Sequence, residues 1–148
     1  MITRPRFVLP VLLLWASTSV ASPLMHRTQT VISVPPPGEV VALSALHYAP
    51  KQFEAKVSSV KLTLTSTEGA DPVVGEWTFL ASNSDGQLHK VEIFTRLLDE
   101  SGTQIAMASK VCMVSGGSHD YICPVPLNVK AAEWAKTKSL RIVTDWLN

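Results

Sequence analysis

Cys112 and Cys123 are the two cysteines of the chain, and ten residues separate them. That spacing differs from the Cys-x-x-Cys arrangement of redox-active thiols. If Val114 faces Tyr121 across the intervening loop, the two cysteines are directly opposed in a hairpin, within reach of a disulfide. Exported thiols usually end as stable bridges. We therefore expect a structural Cys112–Cys123 disulfide, which would stabilise the fold by about 3 kcal/mol in the chain-entropy model.

The run Ser118-His119-Asp120 contains the three residue types of a hydrolase triad. A triad requires side chains that converge, whereas successive residues of a loop point in different directions. The same loop would offer a metal two ligands, fewer than the three or four that zinc requires. We expect a glycine-rich loop tip whose residues Ser118, His119 and Asp120 can contact a partner, with no catalytic and no metal-binding role.

The remaining acidic and histidine residues give no sign of a catalytic or metal site. Asp99 and Glu100 are adjacent in a predicted turn, and a glycosidase needs a cleft between its two carboxylates. His26, His47 and His89 are scattered, without the spacing of metal ligands. The sequence therefore predicts a protein that is not an enzyme and that holds no cofactor.

The tryptophans are candidate binding anchors, because exposed aromatic side chains are favoured at interfaces. Trp77 shares one strand face with Phe79, so we expect it in the core. Trp134 lies on a predicted short helix, where packing onto the sheets is expected. Trp146 lies near the end of a predicted terminal strand, which can form a sheet edge, and it stays a candidate interaction residue.

Strands with period-two alternation must position all of these side chains. Polar turns that contain Gly, Asn or Asp separate the strands, the clearest being Asn83–Gly86 and Asp99–Gly102. No alternation of strands with long helices appears, so a parallel sheet is not expected. The alternating rows are Val60, Leu62 and Leu64; Trp77, Phe79 and Ala81; Val91, Ile93, Thr95 and Leu97, expected to face inward; and Leu140, Ile142, Thr144 and Trp146 in a last strand.

The two ends of the domain are predicted separately. Val31–Val34 reads as a short strand that stops at Pro35-Pro36-Pro37-Gly38, because proline cannot donate to a sheet ladder. Val31, Ile32 and Val34 are therefore candidate interaction residues on an edge strand. Val40–Tyr48 is expected to be a further strand, and Val129–Lys136 one or two helical turns with Asn128 as N-cap.

Seven or eight strands with short turns predict an all-β, antiparallel sandwich or small barrel with one short helix near the C-terminus. Two further strands are expected at Ile105–Val114 and Tyr121–Val129, on either side of the loop at Ser115–Asp120. The polar stretch at 22–30 is expected to be a flexible N-terminus.

Residues 1–21 have the pattern of a cleavable signal peptide. Arg4 and Arg6 provide the basic start, Phe7–Ala16 the apolar run, and Ser19-Val20-Ala21 the small residues at the cleavage site. A membrane span needs about 20 apolar residues, and this run is about half as long. We expect an exported protein, periplasmic or secreted, with one mature domain at 22–148 and no membrane span in that domain.

The charge of the expected mature chain argues against polyanionic partners. Without Arg4 and Arg6 it carries 11 Lys and Arg against 12 Asp and Glu, a formal net charge of −1. Binding to nucleic acid or to an anionic membrane requires clustered basic residues. Neither partner is expected.

The centre of the chain resembles the hairpins of small bacterial immunoglobulin-like domains of the FxLyD-like type. The resemblance is carried by Gly75–Phe79, by the Asn-containing turn in Ala81–Gly86, by Val91–Ile93, by the Asp-x-x-Gly turn in Leu97–Gly102, and by Gln104–Ala106. It covers roughly 35–40 residues and implies an immunoglobulin-like β-sandwich.

The chain departs from that pattern after Met107, because such domains do not usually carry a Cys112–Cys123 pair and the segment Trp134–Trp146 has no counterpart. Domains of this type mostly bind or space other proteins, although the fold alone does not fix a function. The expected function is a non-enzymatic protein-binding module, for example cargo or an accessory protein of an intimin/invasin-type export system. The alternatives are a periplasmic inhibitor or immunity protein, a small-ligand carrier and a fibre subunit.

Overall fold

The computed structural model describes residues 25–44, 46–48 and 54–147. The predicted signal peptide at 1–21 and the first residues of the predicted domain lie outside this part of the chain. The described residues form nine strands and one helix. The elements are β1 (Met25–Ser33), β2 (Val40–Ala42), β3 (His47–Tyr48), β4 (Ala55–Leu64), β5 (Val73–Asn83), β6 (His89–Leu98), β7 (Gln104–Val114), β8 (Tyr121–Val129), α1 (Ala131–Lys136) and β9 (Ser139–Leu147).

The strands form two antiparallel sheets. The first has the order β1-β9-β6-β7, and the second has the order β2-β4-β5-β8, with β3 also paired to β4. Only β4–β5 and β6–β7 are hairpins between successive long strands. The chain passes from one sheet to the other after β1, after β5, after β7 and after β8. The all-β, antiparallel architecture with one short helix is as predicted.

The alternation of apolar residues places the core between the two sheets. The rows of β5, β6 and β9 are buried throughout, with Thr95 and Thr144 as their polar members. In β4, a bulge between Val57 and Ser59 shifts the register, so that both Val57 and Val60 are buried. Side chains of a strand alternate between its two faces, and the extra residue of a bulge shifts this alternation by one position.

β1 is longer than the sequence predicted. Residues 25–30, expected to be flexible, are strand and pair with β9 over the whole length from Met25 to Ser33. The segment is polar, so its own sequence offers little hydrophobic burial. Hydrogen bonding to β9 stabilises the segment instead, because the edge of β9 would otherwise have unpaired backbone groups.

The predicted strand Val40–Tyr48 is interrupted. β2 and β3 both pair with β4, but Leu43 and Leu46 between them are buried rather than paired in strands. The Leu43 amide donates to the Ser58 carbonyl oxygen at 2.8 Å, and the Val57 amide donates to the Leu46 carbonyl oxygen at 3.0 Å.

α1 begins later than predicted. Asn128 belongs to β8, and Lys130 is the N-cap, without a side-chain capping bond. Instead, the Asp71 carboxylate accepts a hydrogen bond from the Ala131 amide at 3.1 Å, which satisfies one of the free donors at the helix start. Trp134 packs on Trp77 with a ring-centroid distance of 6.4 Å, so the helix packs onto the sheets as expected.

The disulfide Cys112–Cys123 is present, but the hairpin geometry predicted for it is wrong. Cys112 pairs with Val91 in one sheet, and Cys123 pairs with Phe79 in the other. The bridge therefore joins the two sheets at their edges, with a Cα–Cα distance of 6.0 Å. The period of two is the same whether a chain turns within a sheet or crosses between sheets, so the sequence pattern does not distinguish the two.

Trp146 is not a surface anchor. It is 1% exposed and belongs to the core, because β9 is an inner strand between β1 and β6 rather than a sheet edge. Its indole Nε1 has no hydrogen-bond partner among the described residues. The prediction that Trp146 is an interaction residue is therefore wrong for this conformation.

Candidate functional site

The two described sheets end in four edges, and two of these edges are protected against pairing with another chain. β8 contains Pro124 and Pro126, so its free edge lacks two amide donors. β2 and β3 have only three and two residues, too few for an extended ladder. β1 and β7 are the long edge strands without proline.

β7 presents the more apolar of these two edges. It has eleven residues, and Met107, Val111 and Met113 on its outward face are 53%, 44% and 43% exposed. Ser109 shares that face. We call Met107, Ser109, Val111 and Met113, together with the unpaired backbone of β7, the β7 edge surface. On β1, Val31 is the one exposed large apolar side chain among the described residues.

Charged residues border the β7 edge surface. In the β6–β7 ladder, Arg96 lies opposite Met107 and Lys90 lies opposite Met113. Glu92 lies opposite Val111 and comes within 3.4 Å of the Ser109 hydroxyl. Cross-strand neighbours on one face are 4.5–5.5 Å apart at Cβ, so the apolar side chains alternate with these charges at contact distance.

Such an edge can accept one more strand. The free N–H and C=O groups of β7 supply main-chain hydrogen bonds, and the exposed side chains contact alternate residues of the incoming segment. Exposed apolar groups with a polar border are typical of protein-binding surfaces. No cofactor or metal is needed for this kind of binding.

The inner edge of β1 is fastened to β9 by polar contacts. The Arg27 guanidinium donates to both carboxylate oxygens of Asp145, with Nε–Oδ1 at 2.7 Å and Nη2–Oδ2 at 2.6 Å. Its hydrogen bond with Asp145 and the carboxylate charge raise the pKa of Arg27. The hydroxyls of Thr28 and Thr144 are 2.6 Å apart. Asp145 is 4% exposed, so Arg27 neutralises a nearly buried carboxylate.

Of the three predicted interaction residues at this end of the chain, Val31 and Ile32 lie on β1, and Val34 follows it. Val31 is 52% exposed, whereas Ile32 and Val34 are half-buried and pack against the core. Of the three, only Val31 is available to a partner. Ile32 and Val34 hold β1 on the domain.

The loop at 115–120 is tied to the turn after β5. The Asn83 amide donates to the Ser118 carbonyl oxygen at 3.0 Å, and the Gly117 amide donates to the Asp85 carbonyl oxygen at 2.9 Å. Gly116 lies so close to the backbone of Gly86 that a Cβ on Gly116 would be 2.5 Å from the Gly86 carbonyl carbon.

Ser118, His119 and Asp120 do not form a triad in the structure. Ser118 is half-buried, His119 and Asp120 are exposed, and no hydrogen bond among their side chains occurs in this part of the described chain. His119 instead lines a shallow cleft with Glu54 and Lys56. A surface contact with a partner stays a prediction for these three residues.

Asn83 is a structural residue that sequence reasoning recognised only as a turn signal. It is fully buried, and its side-chain amide donates to the carbonyl oxygens of Gln87 at 2.8 Å and Val114 at 3.1 Å. Its carbonyl oxygen accepts from the Asp85 amide at 2.9 Å. Asn83 thus joins the end of β7 to the turn after β5. The position of Asn83 at the end of an alternating strand is a sequence signal for a buried side chain. The sequence carries no signal for its hydrogen bond to the distant Val114.

His89 and Asp85 form a second contact in the same region. His89 Nε2 lies 2.6 Å from an Asp85 carboxylate oxygen. The hydrogen bond with His89 lowers the pKa of Asp85, against the opposing effect of desolvation. His89 lies at the start of β6, so this contact fixes where that strand begins.

No group of three or more His, Cys, Asp or Glu side chains that could hold a metal occurs within the described ranges. A cavity between β7 and β8, lined by Trp77, Thr95 and Leu127 among others, has a volume of about 20 Å³. That is room for one water molecule, whereas small-molecule sites occupy several hundred Å³. This cavity therefore does not suit a lipid or a sugar.

The candidate interaction residues do not converge on one site. Val31 pairs with Arg141 near the start of β9, whereas the 115–120 loop lies beside the turn that follows β5, at the opposite end of the sheets. No described helix is long and apolar enough to cross a membrane. A scan against protein-family models finds no match for the chain, and no curated protein matches its sequence.

Proposed function

We propose that this protein is an exported, non-enzymatic module that binds another protein by accepting an extended segment of it as an additional strand along β7. The observation that carries the proposal is the free edge of β7, which is long, proline-free and flanked by exposed Met107, Val111 and Met113. The protected edges at β8 and at β2 and β3 leave β7 as the most apolar edge open to pairing.

The partner segment is characterised by its chemistry. It is extended, it places apolar side chains at every second position against the β7 edge surface, and it carries acidic residues. The reason for the acidic residues is local charge, because Lys90 and Arg96 outnumber Glu92 beside the β7 edge surface. Complementary charge fixes the register of an added strand and speeds encounter.

We infer that the two-sheet fold is of the immunoglobulin-like type. β5 and β8 are neighbours in one sheet, and β6 and β9 are neighbours in the other. The connections β5–β6 and β8–β9 both cross between the sheets. This interlocking of two strand pairs is the arrangement that Greek-key sandwiches use. Small modules of this kind present edges and loops to partners, while the core only supports them.

Export is supported by two independent features. The first 21 residues have the pattern of a signal peptide. The Cys112–Cys123 disulfide is consistent with an oxidising compartment, because such bonds persist outside the cytosol. We infer that the mature domain works in the periplasm or outside the cell.

The experiment is affinity capture from periplasmic and secreted fractions of the native cells with the purified, disulfide-bonded domain as bait. Val111→Lys and Met113→Lys place a charge on the β7 edge surface. Ile122→Lys is the matched control, since Ile122 is 62% exposed on the protected strand β8. We expect one specific protein to be retained by the unchanged domain and by Ile122→Lys.

We expect the same protein to be reduced at least tenfold with Val111→Lys or Met113→Lys. Circular dichroism of each variant serves as the folding control. Undiminished capture by both β7 variants, or no specific protein at all, would refute the proposal.

A further inference from the structure

We propose that β1 is an exchangeable strand, which leaves its own domain and pairs with β9 of a second copy of this chain. This interaction uses β9 and not the β7 edge surface, so it goes beyond the function proposed above. Three features carry it, namely the shallow packing of β1, the specific polar contacts that β9 offers, and the proline-rich connection after β1.

The first feature is that β1 contributes little to the core. None of the residues at 26–33 is fully buried, and Ile32 is only half-buried against the core. β1 pairs with β9 alone in the described sheets. The buried cluster of hydrophobic residues is drawn from the chain after β2. The domain can therefore keep its core when β1 leaves.

The second feature is that exposing the backbone edge of β9 would be energetically unfavourable. β9 pairs with β1 over nine residues, and an exposed edge of that length is a template for another strand. Asp145 would also lose Arg27, the partner of a nearly buried carboxylate. An unpaired buried charge is strongly unfavourable, so the vacated edge requires a replacement.

The replacement with the best fit is another β1. A strand in this place must supply a guanidinium at the level of Asp145 and a hydroxyl at the level of Thr144. Arg27 and Thr28 supply both at 2.6–2.7 Å. A second copy offers the same residues in the same antiparallel register, so exchange recreates each of these contacts between molecules.

The third feature is the connection between β1 and β2. Residues 34–39 contain Pro35, Pro36 and Pro37, which have no amide to donate and which favour an extended, stiff chain. Backbone donors in this stretch form two hydrogen bonds outside strands, from Gly38 to Leu62 at 2.8 Å and from Glu39 to Pro36 at 3.1 Å. Releasing β1 therefore breaks few backbone hydrogen bonds here, although the side-chain contacts of half-buried Val34 and buried Pro35 must be exchanged as well. Hinge segments of this kind permit exchange between protomers.

Exchange has two geometric outcomes, and both satisfy the proposal. Two copies that exchange β1 reciprocally form a closed dimer, whereas copies that each donate β1 to the next form an open chain. The second outcome connects this inference with the alternative of a fibre subunit.

The test uses cysteine pairs across the β1–β9 seam in the full mature chain. Thr28→Cys and Thr144→Cys are made as separate variants, mixed, incubated at high concentration under mild oxidation, and analysed on a non-reducing gel. Thr144 is buried beside Thr28 of the paired β1, so a cysteine at 144 is placed to bond with a cysteine at 28 of whichever β1 occupies that position. We expect a mixed disulfide dimer that contains one copy of each variant.

The matched control mixes Thr28→Cys with Thr63→Cys, an exposed position on β4. We expect at least fivefold less cross-linked dimer in that mixture. The double variant Thr28→Cys/Thr144→Cys must form its internal bond in dilute solution, which shows that the geometry permits it. If that bond forms and the mixture of single variants gives no dimer above the control, the proposal is wrong.

A second variant tests the hinge directly. Deletion of residues 36–38 shortens the connection, so that β1 reaches its own β9 less easily, and light scattering should show a shift from monomer to dimer or larger species. A monomer with β1 still protected from hydrogen exchange would overturn the proposal. Val111→Lys should leave this assembly unchanged, so failure of the β7 proposal and failure of strand exchange give different results.

Discussion

At the scale of single residues, the side chains that matter most are those that join distant segments of backbone. Asn83 is buried and forms hydrogen bonds to three backbone groups, one of which lies at the end of β7. The turn in which Asn83 lies is recognisable in the sequence, because Asn and Gly tolerate turn conformations. The partner on β7 is not, since no local pattern encodes a contact across 31 residues.

We expect Asn83→Ala to lower the free energy of unfolding by about 2–4 kcal/mol, because it leaves buried carbonyl and amide groups without partners. The measurement is urea denaturation followed by tryptophan fluorescence. Asn128→Ala on the exposed side of β8 is the control and should change stability by less than about 0.5 kcal/mol. Equal effects of the two substitutions would show that the Asn83 contacts contribute nothing.

Gly116→Ala tests the close approach of the two loops. The added Cβ would meet the Gly86 backbone at 2.5–2.6 Å, so the loops must separate, and we expect a loss of about 1–3 kcal/mol. Gly86→Ala is the control, since open space surrounds its Cβ position. A Gly116→Ala domain as stable as Gly86→Ala in thermal unfolding would contradict the predicted crowding.

The turn after β6 contains Asp99, whose protonation is expected to make the folded state less stable at acid pH than at neutral pH. Hydrogen bonds from Ser101 and then Thr103 lower the pKa of Asp99 below its ordinary value of 3.8. A carboxylate with a lowered pKa in the folded state stabilises the fold above the unfolded pKa, and this contribution disappears as pH falls through the folded pKa. We therefore expect stability to decrease below about pH 4 and Asp99→Asn to show a weaker decrease. Urea midpoints between pH 6 and pH 2 measure this, and identical pH profiles for the two proteins would exclude a role for Asp99.

At the scale of elements, alternation predicted which side chains face inward but not which strands are neighbours. The rows of β5, β6 and β9 and the pairing of Cys112 with Cys123 were predicted correctly. The partner strands of β7 and β8 were not, because a hairpin and a crossing between sheets produce the same alternation. β1 was missed over residues 25–30 for a related reason, since its polar sequence is ordered by β9 rather than by its own apolar content.

The inter-sheet disulfide should stabilise the domain mainly by limiting the unfolded chain. We expect Cys112→Ser/Cys123→Ser to lower the free energy of unfolding by about 3 kcal/mol for a cross-link over 11 residues. Hydrogen exchange should increase most in β7 and β8, the two strands that the bond joins, and least in the β4–β5 hairpin. An unchanged unfolding free energy would contradict this view of the bridge.

At the scale of the whole molecule, the edges of the sheets differ in how they are protected. Prolines protect β8 and short length protects β2 and β3, whereas β1 and β7 keep long free edges, of which that of β7 is the more apolar. None of these differences could be predicted from the sequence, because they depend on the order of strands in each sheet. The strand order therefore determines the candidate site, whereas the sequence alone shows only the residues of each strand.

The most direct test of the central claim is site-specific photo-cross-linking in the native cells. A photoreactive residue replaces Val111 on the β7 edge surface in one protein and Ile122 on β8 in another, and the adducts are identified by mass spectrometry. We expect an abundant adduct with one other exported protein from position 111 and little or none from position 122. No adduct at position 111, or the same adduct from both positions, would contradict it.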